Sequence, residues 1–187
     1  MKKTFVFLAI TLLAACTSNE PAKTDTTTVS SDSTKNTAAM MPTIQSPYQV
    51  AYSSSFVMDS PKNAESILAL WKVWDNGDLS KSKDLFADSI ALYTADGNPM
   101  IGARDSLIAA TQKYRTSLGT VVSRVDAIMA VKSTDKNEHW ALIWGMEKHT
   151  DAKGKVDSSF LQETWRFNNA GKADLLYQFK QDPPKKK

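Results

Sequence analysis

Glu163-Thr164-Trp165-Arg166-Phe167-Asn168-Asn169-Ala170-Gly171-Lys172 is the stretch on which the fold turns. Its first half alternates large and polar residues, the two-residue period of a half-buried strand. Asn168-Asn169-Ala170-Gly171 is turn chemistry, and Ala173 to Phe179 resumes the alternation, so the stretch predicts a hairpin. The same grammar extends upstream. Asp151-Ala152-Lys153-Gly154 turns into a strand over Phe160 to Phe167, and Trp140, Leu142, Trp144 and Met146 share one face of the strand before it. Asp135-Lys136-Asn137 makes another turn, preceded by the β-branched run Val121 to Lys132. Everything after Gly119 therefore predicts four strands in a meander.

Before Gly119 the period is helical. Ser60 is placed to cap, Pro61 suits a first helical position, and Glu65 falls in the electropositive first turn. Ile67, Leu70, Trp71 and Trp74 then recur at helical spacing, and Asn76-Gly77 stops the helix. A second, short helix is expected from Ser80 to about Ala87, then a strand from Ile90 to Thr94. Ala95-Asp96-Gly97-Asn98-Pro99 reads as a turn. A third helix is expected from Arg104 to Leu118, with Leu107, Thr111, Tyr114 and Leu118 on one side. The fold class is α+β: three helices on one face of a mostly antiparallel sheet.

Two stretches carry a family resemblance. Asp75-Asn76-Gly77-Asp78-Leu79 followed by Leu85-Phe86-Ala87-Asp88 is similar to the helix, "GDL" turn and "FADD" segment of the nuclear transport factor 2-like (NTF2-like, or SnoaL-like) superfamily. Glu163 to Lys172 resembles its "DxxRFxxxGKI" hairpin. The resemblance covers about Ser60 to Gln181. It implies a cone, a curved sheet wrapped around helices with an internal pocket. Family members include ketosteroid isomerases, polyketide cyclases, dehydratases and non-catalytic binding proteins, so function is decided at the site.

The resemblance allows the catalytic positions to be checked one at a time. The tyrosine that steroid isomerases carry in the first helix falls on Leu70, which cannot donate a hydrogen bond. Their general base falls on Thr94, which lacks useful basicity. Their second oxyanion donor falls on Glu163, and SnoaL-type cyclases use a carboxylate at this position as acid/base. Glu163 is the catalytic candidate, with Thr94 and Gln178 as polar companions. Leu70, Trp74, Thr94, Trp144, Leu176 and Gln178 are the expected lining of the internal pocket.

The remaining residues restrict the chemistry. His139 and His149 stand at opposite ends of one expected strand, roughly 33 Å apart at the usual rise, so they cannot share a metal. No metal site and no cofactor is expected. Basic residues number 23 against 20 acidic. Setting aside Lys2, Lys3 and the terminal Lys185, Lys186 and Lys187 leaves 18 against 20, with no basic cluster for nucleic acid.

Cys16 is the single cysteine. Lys2, Lys3 and the apolar run Phe5 to Leu13 precede Ala14-Ala15-Cys16, the layout of a secretory signal (1–15). Leu13-Ala14-Ala15-Cys16 resembles the bacterial lipobox, which implies acylation of Cys16 and a membrane anchor. Thr17 after Cys16 lacks the aspartate of inner-membrane retention, so the resemblance favours the outer membrane of the cell envelope. Residues 16–46, rich in Ser and Thr, read as a disordered tether with a reach of roughly 30–35 Å. Residues 47–59 read as an extended arm, 60–182 as the domain and 183–187 as a basic tail. Lipidation of Cys16 leaves the mature chain without a thiol.

Three functions follow as expectations. The first is non-catalytic binding of a small apolar or amphipathic molecule in the cone. The second is an acid/base enzyme of isomerase, cyclase or dehydratase type using Glu163. The third is a homodimeric interaction module using the open sheet face.

Overall fold

A computed structural model describes residues 44–184; the expected signal segment, Cys16, the expected tether up to residue 43 and the terminal lysines 185–187 lie outside the described residues. Strand β1 (Phe56–Met58) leads into helix α1 (Lys62–Asn76) and a short 3₁₀ helix (Leu79–Leu85). Then come β2 (Phe86–Tyr93), β3 (Pro99–Ala103), helix α2 (Arg104–Ser117), β4 (Thr120–Ser133), β5 (Glu138–Thr150), β6 (Val156–Phe167) and β7 (Ala173–Gln181). The seven strands form one sheet in the order β1-β4-β5-β6-β7-β2-β3. All neighbours are antiparallel except β2 and β7. Three helices against a curved, unclosed, mostly antiparallel sheet make the expected α+β cone.

The meander is formed by β4 to β7, and β1 sits at the sheet's edge against Val131, Lys132 and Ser133. Beyond β1 the same side of β4 has no strand partner among the described residues. A bulge between Val125 and Ala127 interrupts it, and the Arg124–Asp126 ion pair at 2.7 Å flanks that bulge, both devices that discourage edge pairing.

Four local points differ from the expectation. The short helix expected over Ser80–Ala87 is a 3₁₀ turn ending at Leu85. Asp78 accepts from the Ser80 amide, and the buried Ser82 hydroxyl donates to Leu79 O three residues back at 2.7 Å. Phe86 is already strand because it pairs with Ala173 of β7, so β2 starts four residues earlier than the Ile90 its alternation suggests. The segment after Pro99 is the edge strand β3, not loop, and Pro99 occupies its first position, where a missing N–H is tolerated. In α2 the buried positions are Ile108, Arg115 and, just past its end, Leu118, whereas Tyr114 is 60% exposed. Leu107 and Thr111 are half-buried and Leu118 is buried as expected, so of the expected face only Tyr114 is displaced, its place taken by Arg115.

The core fills the inside of the cone. Ile67, Leu70 and Trp71 of α1 meet Ile90 and Leu92 of β2, Ala141 and Ile143 of β5, Trp165 and Phe167 of β6, and Leu176 of β7. Burial of a side chain of this size stabilises by about 1.5–3 kcal/mol. Gly145 has a positional requirement of its own: a Cβ there would lie 2.8 Å from the Trp71 ring and 2.3 Å from Arg124 O. Only glycine lets the indole lie on the strand.

Candidate functional site

The sheet has two faces, and strand parity assigns each candidate to one of them. On β5 the inner positions are Ala141, Ile143, Gly145, Glu147 and His149; Trp140, Leu142, Trp144 and Met146 point the other way. Register then carries this parity across the sheet. Ile143 pairs with Glu163 and Glu163 with Gln178, so both polar candidates face the helices. Trp144 pairs with Gln162 on the outer face, which removes it from the expected cone lining. The sequence shows that Trp140, Leu142, Trp144 and Met146 share a face but not which one, because facing depends on cross-strand register.

Glu163 is 6% exposed and already engaged. Its Oε2 accepts from the indole N–H groups of Trp71 and Trp165, each at 2.8 Å, and its Oε1 accepts from Gln178 Nε2 at 2.9 Å. Gln178 in turn accepts from the Ala95 amide at 3.4 Å. The carboxyl thus ties α1, β6 and β7 to the turn after β2. Leu70 and Leu176 are buried core residues beside it. Thr94 does not join the group: its hydroxyl donates to Asp96 at 2.7 Å and shapes the β2–β3 turn.

A second inner carboxyl, Glu147, was not singled out by sequence reasoning. Trp74 Nε1 donates to its Oε2 at 2.5 Å, and His149 Nδ1 lies 4.0 Å from its Oε1. Burial pushes its pKa above the ordinary glutamate value, with the Glu163 charge adding to the rise. The Trp74 bond, His149 and Arg115 act in the opposite direction without cancelling it. Arg115, itself buried, donates to Trp74 O at 2.5 Å, Asp75 O at 3.0 Å and Gly119 O at 2.8 Å, capping the C-terminus of α1. The parity of Glu147 with Ala141, Ile143 and Gly145 is a signal that could have found it; nothing in the sequence marks Arg115.

The outer face is different in kind. A concavity of about 600 Å³ is lined there by Tyr52, Val131, Trp140, Leu142, Leu175 and Tyr177, with Thr164 and Arg166 among them. Tyr52, from the segment before β1, stands edge-on to Trp140 with ring centroids 5.9 Å apart, and its hydroxyl donates to Glu138. Arg166 is held by Asp174 at 2.9 Å and, more loosely, by Glu138 at 3.5 Å. Beyond the concavity Tyr93 stacks on Tyr177 at 5.1 Å, and Phe179 is 63% exposed. His139, at the far end of β5 from His149, bonds Asp59 at 2.7 Å.

Comparison with solved structures agrees with this architecture. AusH from Aspergillus nidulans superposes with a TM-score of 0.54 at 13% identity, over 70% of this chain and 90% of that one. An LEH-like epoxide hydrolase from M. tuberculosis gives 0.53 at 10% identity over 65% and 84%. An NTF2-like protein of unknown function from Exiguobacterium sp. 255-15 gives 0.51 at 15% identity over 63% and 99%. Identities this low establish the fold alone. No family model matches the sequence, and no curated protein matches it.

Proposed function

We propose that this chain is an exported, lipid-anchored and non-catalytic NTF2-like domain that binds a small apolar or amphipathic molecule on the outer face of its sheet. The observation that carries the reading is the concavity at Trp140, Leu142 and Tyr177, whose volume of about 600 Å³ falls within the roughly 300–1,000 Å³ range of small-molecule sites. Its lining is mostly aromatic and aliphatic with few polar groups, the composition such sites have. The cone interior supports the same conclusion from the other side. Three donors from the protein itself engage Glu163, leaving it as a structural tie more than a free acid or base. Relatives in fold include an epoxide hydrolase, but that activity belongs to that protein.

A titration with the neutral fluorescent apolar probe Nile red tests the reading. Saturable binding is expected, lost in Leu142→Glu, which charges the floor of the concavity, and retained in Glu163→Gln. Binding that survives Leu142→Glu but responds to Glu163→Gln would move the site back into the cone. A second reading, homodimerisation through the same face, is favoured by the exposed Tyr93, Tyr177 and Phe179. Sedimentation of Phe179→Ser against the parent chain separates it: only a dimer would weaken.

Export and anchoring rest on the segment from Lys2 to Cys16. Metabolic labelling with a fatty-acid analogue is expected to mark the chain and to fail for Cys16→Ala.

A further inference from the structure

Trp140 is 7% exposed, and its indole N–H finds no acceptor among the described residues. The other buried tryptophans behave differently: Trp71 and Trp165 both donate to Glu163. A buried donor left without a partner costs about 1–3 kcal/mol, and this one belongs to a residue that lines the outer concavity. The two polar neighbours in that lining are also donors with capacity unspent. Thr164 Oγ1 accepts from Gln162 at 2.8 Å, which leaves its own O–H to donate. Arg166 commits Nε and Nη2 to Asp174, and its Nη1 makes only the 3.5 Å contact with Glu138. Trp140 pairs directly with Arg166, and Leu142 with Thr164, so the three donors share one patch of two adjacent strands.

The charge of the patch narrows the ligand further. Asp174 and Glu138 together outweigh the single Arg166 cation, so an anion gains nothing there. Trp140 and Tyr177 offer rings for stacking or edge contact with a flat molecule. We infer that the outer-face site recognises a flat, neutral ring compound bearing a carbonyl oxygen, which the Trp140 indole N–H receives as a hydrogen-bond acceptor. This inference rests on the binding reading above and adds the ligand's chemistry to it. Because the N–H is closed off from solvent, the carbonyl reaches it by displacing a neighbour. Tyr52, on an irregular segment and 42% exposed, is the side chain placed to give way.

The test uses the full chain carrying Cys16→Ala, which removes the lipid site and the only thiol. Menadione, a flat bicyclic diketone, is titrated beside methylnaphthalene, the hydrocarbon of the same ring skeleton, and the Trp140 indole N–H resonance is followed. Menadione is expected to bind about five- to tenfold tighter, the margin of one net hydrogen bond, and to move that resonance downfield. Trp140→Phe keeps an aromatic ring and drops the donor; it is expected to bring menadione to the hydrocarbon's affinity and leave the hydrocarbon unchanged. Equal affinities with an unmoved resonance would overturn the inference while leaving apolar binding intact. Binding of neither compound would remove the binding reading and the inference with it. A resonance that shifts with protein concentration alone would give the acceptor to a second copy of the chain, which also overturns it.

Discussion

The inner and outer faces of this sheet are built from the same strands and treat the same residue type in opposite ways. Inside, Trp71, Trp74 and Trp165 each give their N–H to a carboxylate. Outside, Trp140 is as buried as Trp71 and gives its N–H to nothing described. Inside, the indole N–H groups are consumed in holding helices to sheet, with Thr111 Oγ1 of α2 the buried polar atom left over; outside, the Trp140 N–H is uncommitted while Arg166 and the Tyr52 hydroxyl are paired with carboxylates. Burial alone does not identify a functional face in such a cone. The balance of donors and acceptors is what the proposed binding reading rests on, because native cores leave few polar groups unmatched.

The sharpest way to break this contrast is at Glu163. If its work is structural, Glu163→Ala strands two indole N–H groups and the Gln178 amide, and should cost about 3–4 kcal/mol in urea unfolding. A loss under about 1 kcal/mol would show that the inner face does not depend on this carboxyl. Gly145→Ala comes next. The added methyl meets backbone at 2.3 Å and the Trp71 ring at 2.8 Å, and should destabilise by about 2–3 kcal/mol, read by the same measurement.

Glu147 sharpens the contrast through pH. Its folded pKa is raised, so the folded state takes up its proton more readily than the unfolded chain. Its contribution is therefore fully present below the ordinary glutamate range and is lost as pH rises through the raised value. Glu147→Gln, which keeps an acceptor for Trp74, should raise the thermal midpoint relative to the parent at about pH 7.5 and lose that advantage near about pH 4. Equal melting differences at both values would remove Glu147 from the account. The smallest effect belongs outside: Phe179→Ser should change stability by less than about 0.5 kcal/mol, as exposed substitutions do. Larger losses would mean that the outer face is also core.

Much of this was legible in the chain. The turn residues Asn168 to Gly171 and the alternation around Trp140 give the meander, and Ile67, Leu70 and Trp71 give the face of α1. What was not legible depends on long-range pairing. Trp144 and Glu163 lie on adjacent strands, and one residue of register decides whether they share a face. Strand β3 is five residues containing a proline and a glycine, with too little pattern to stand out from a turn. Glu147 lies between Met146 and Lys148 near a strand end, where charge ordinarily means solvent; its parity with Ala141 and Ile143 gives its face, but the packing of Trp74 that encloses it is a long-range contact.

The close seating of Trp71 on Gly145 has a consequence for descent. The two positions sit on different elements, far apart in the chain, and the dependence between them runs one way: a side chain at 145 meets the Arg124 carbonyl whatever stands at 71, whereas the indole at 71 needs the bare backbone at 145. Divergent copies of this gene should therefore keep the glycine even where the tryptophan has been replaced, a mark of shared ancestry that would outlast the drift of the residues around it.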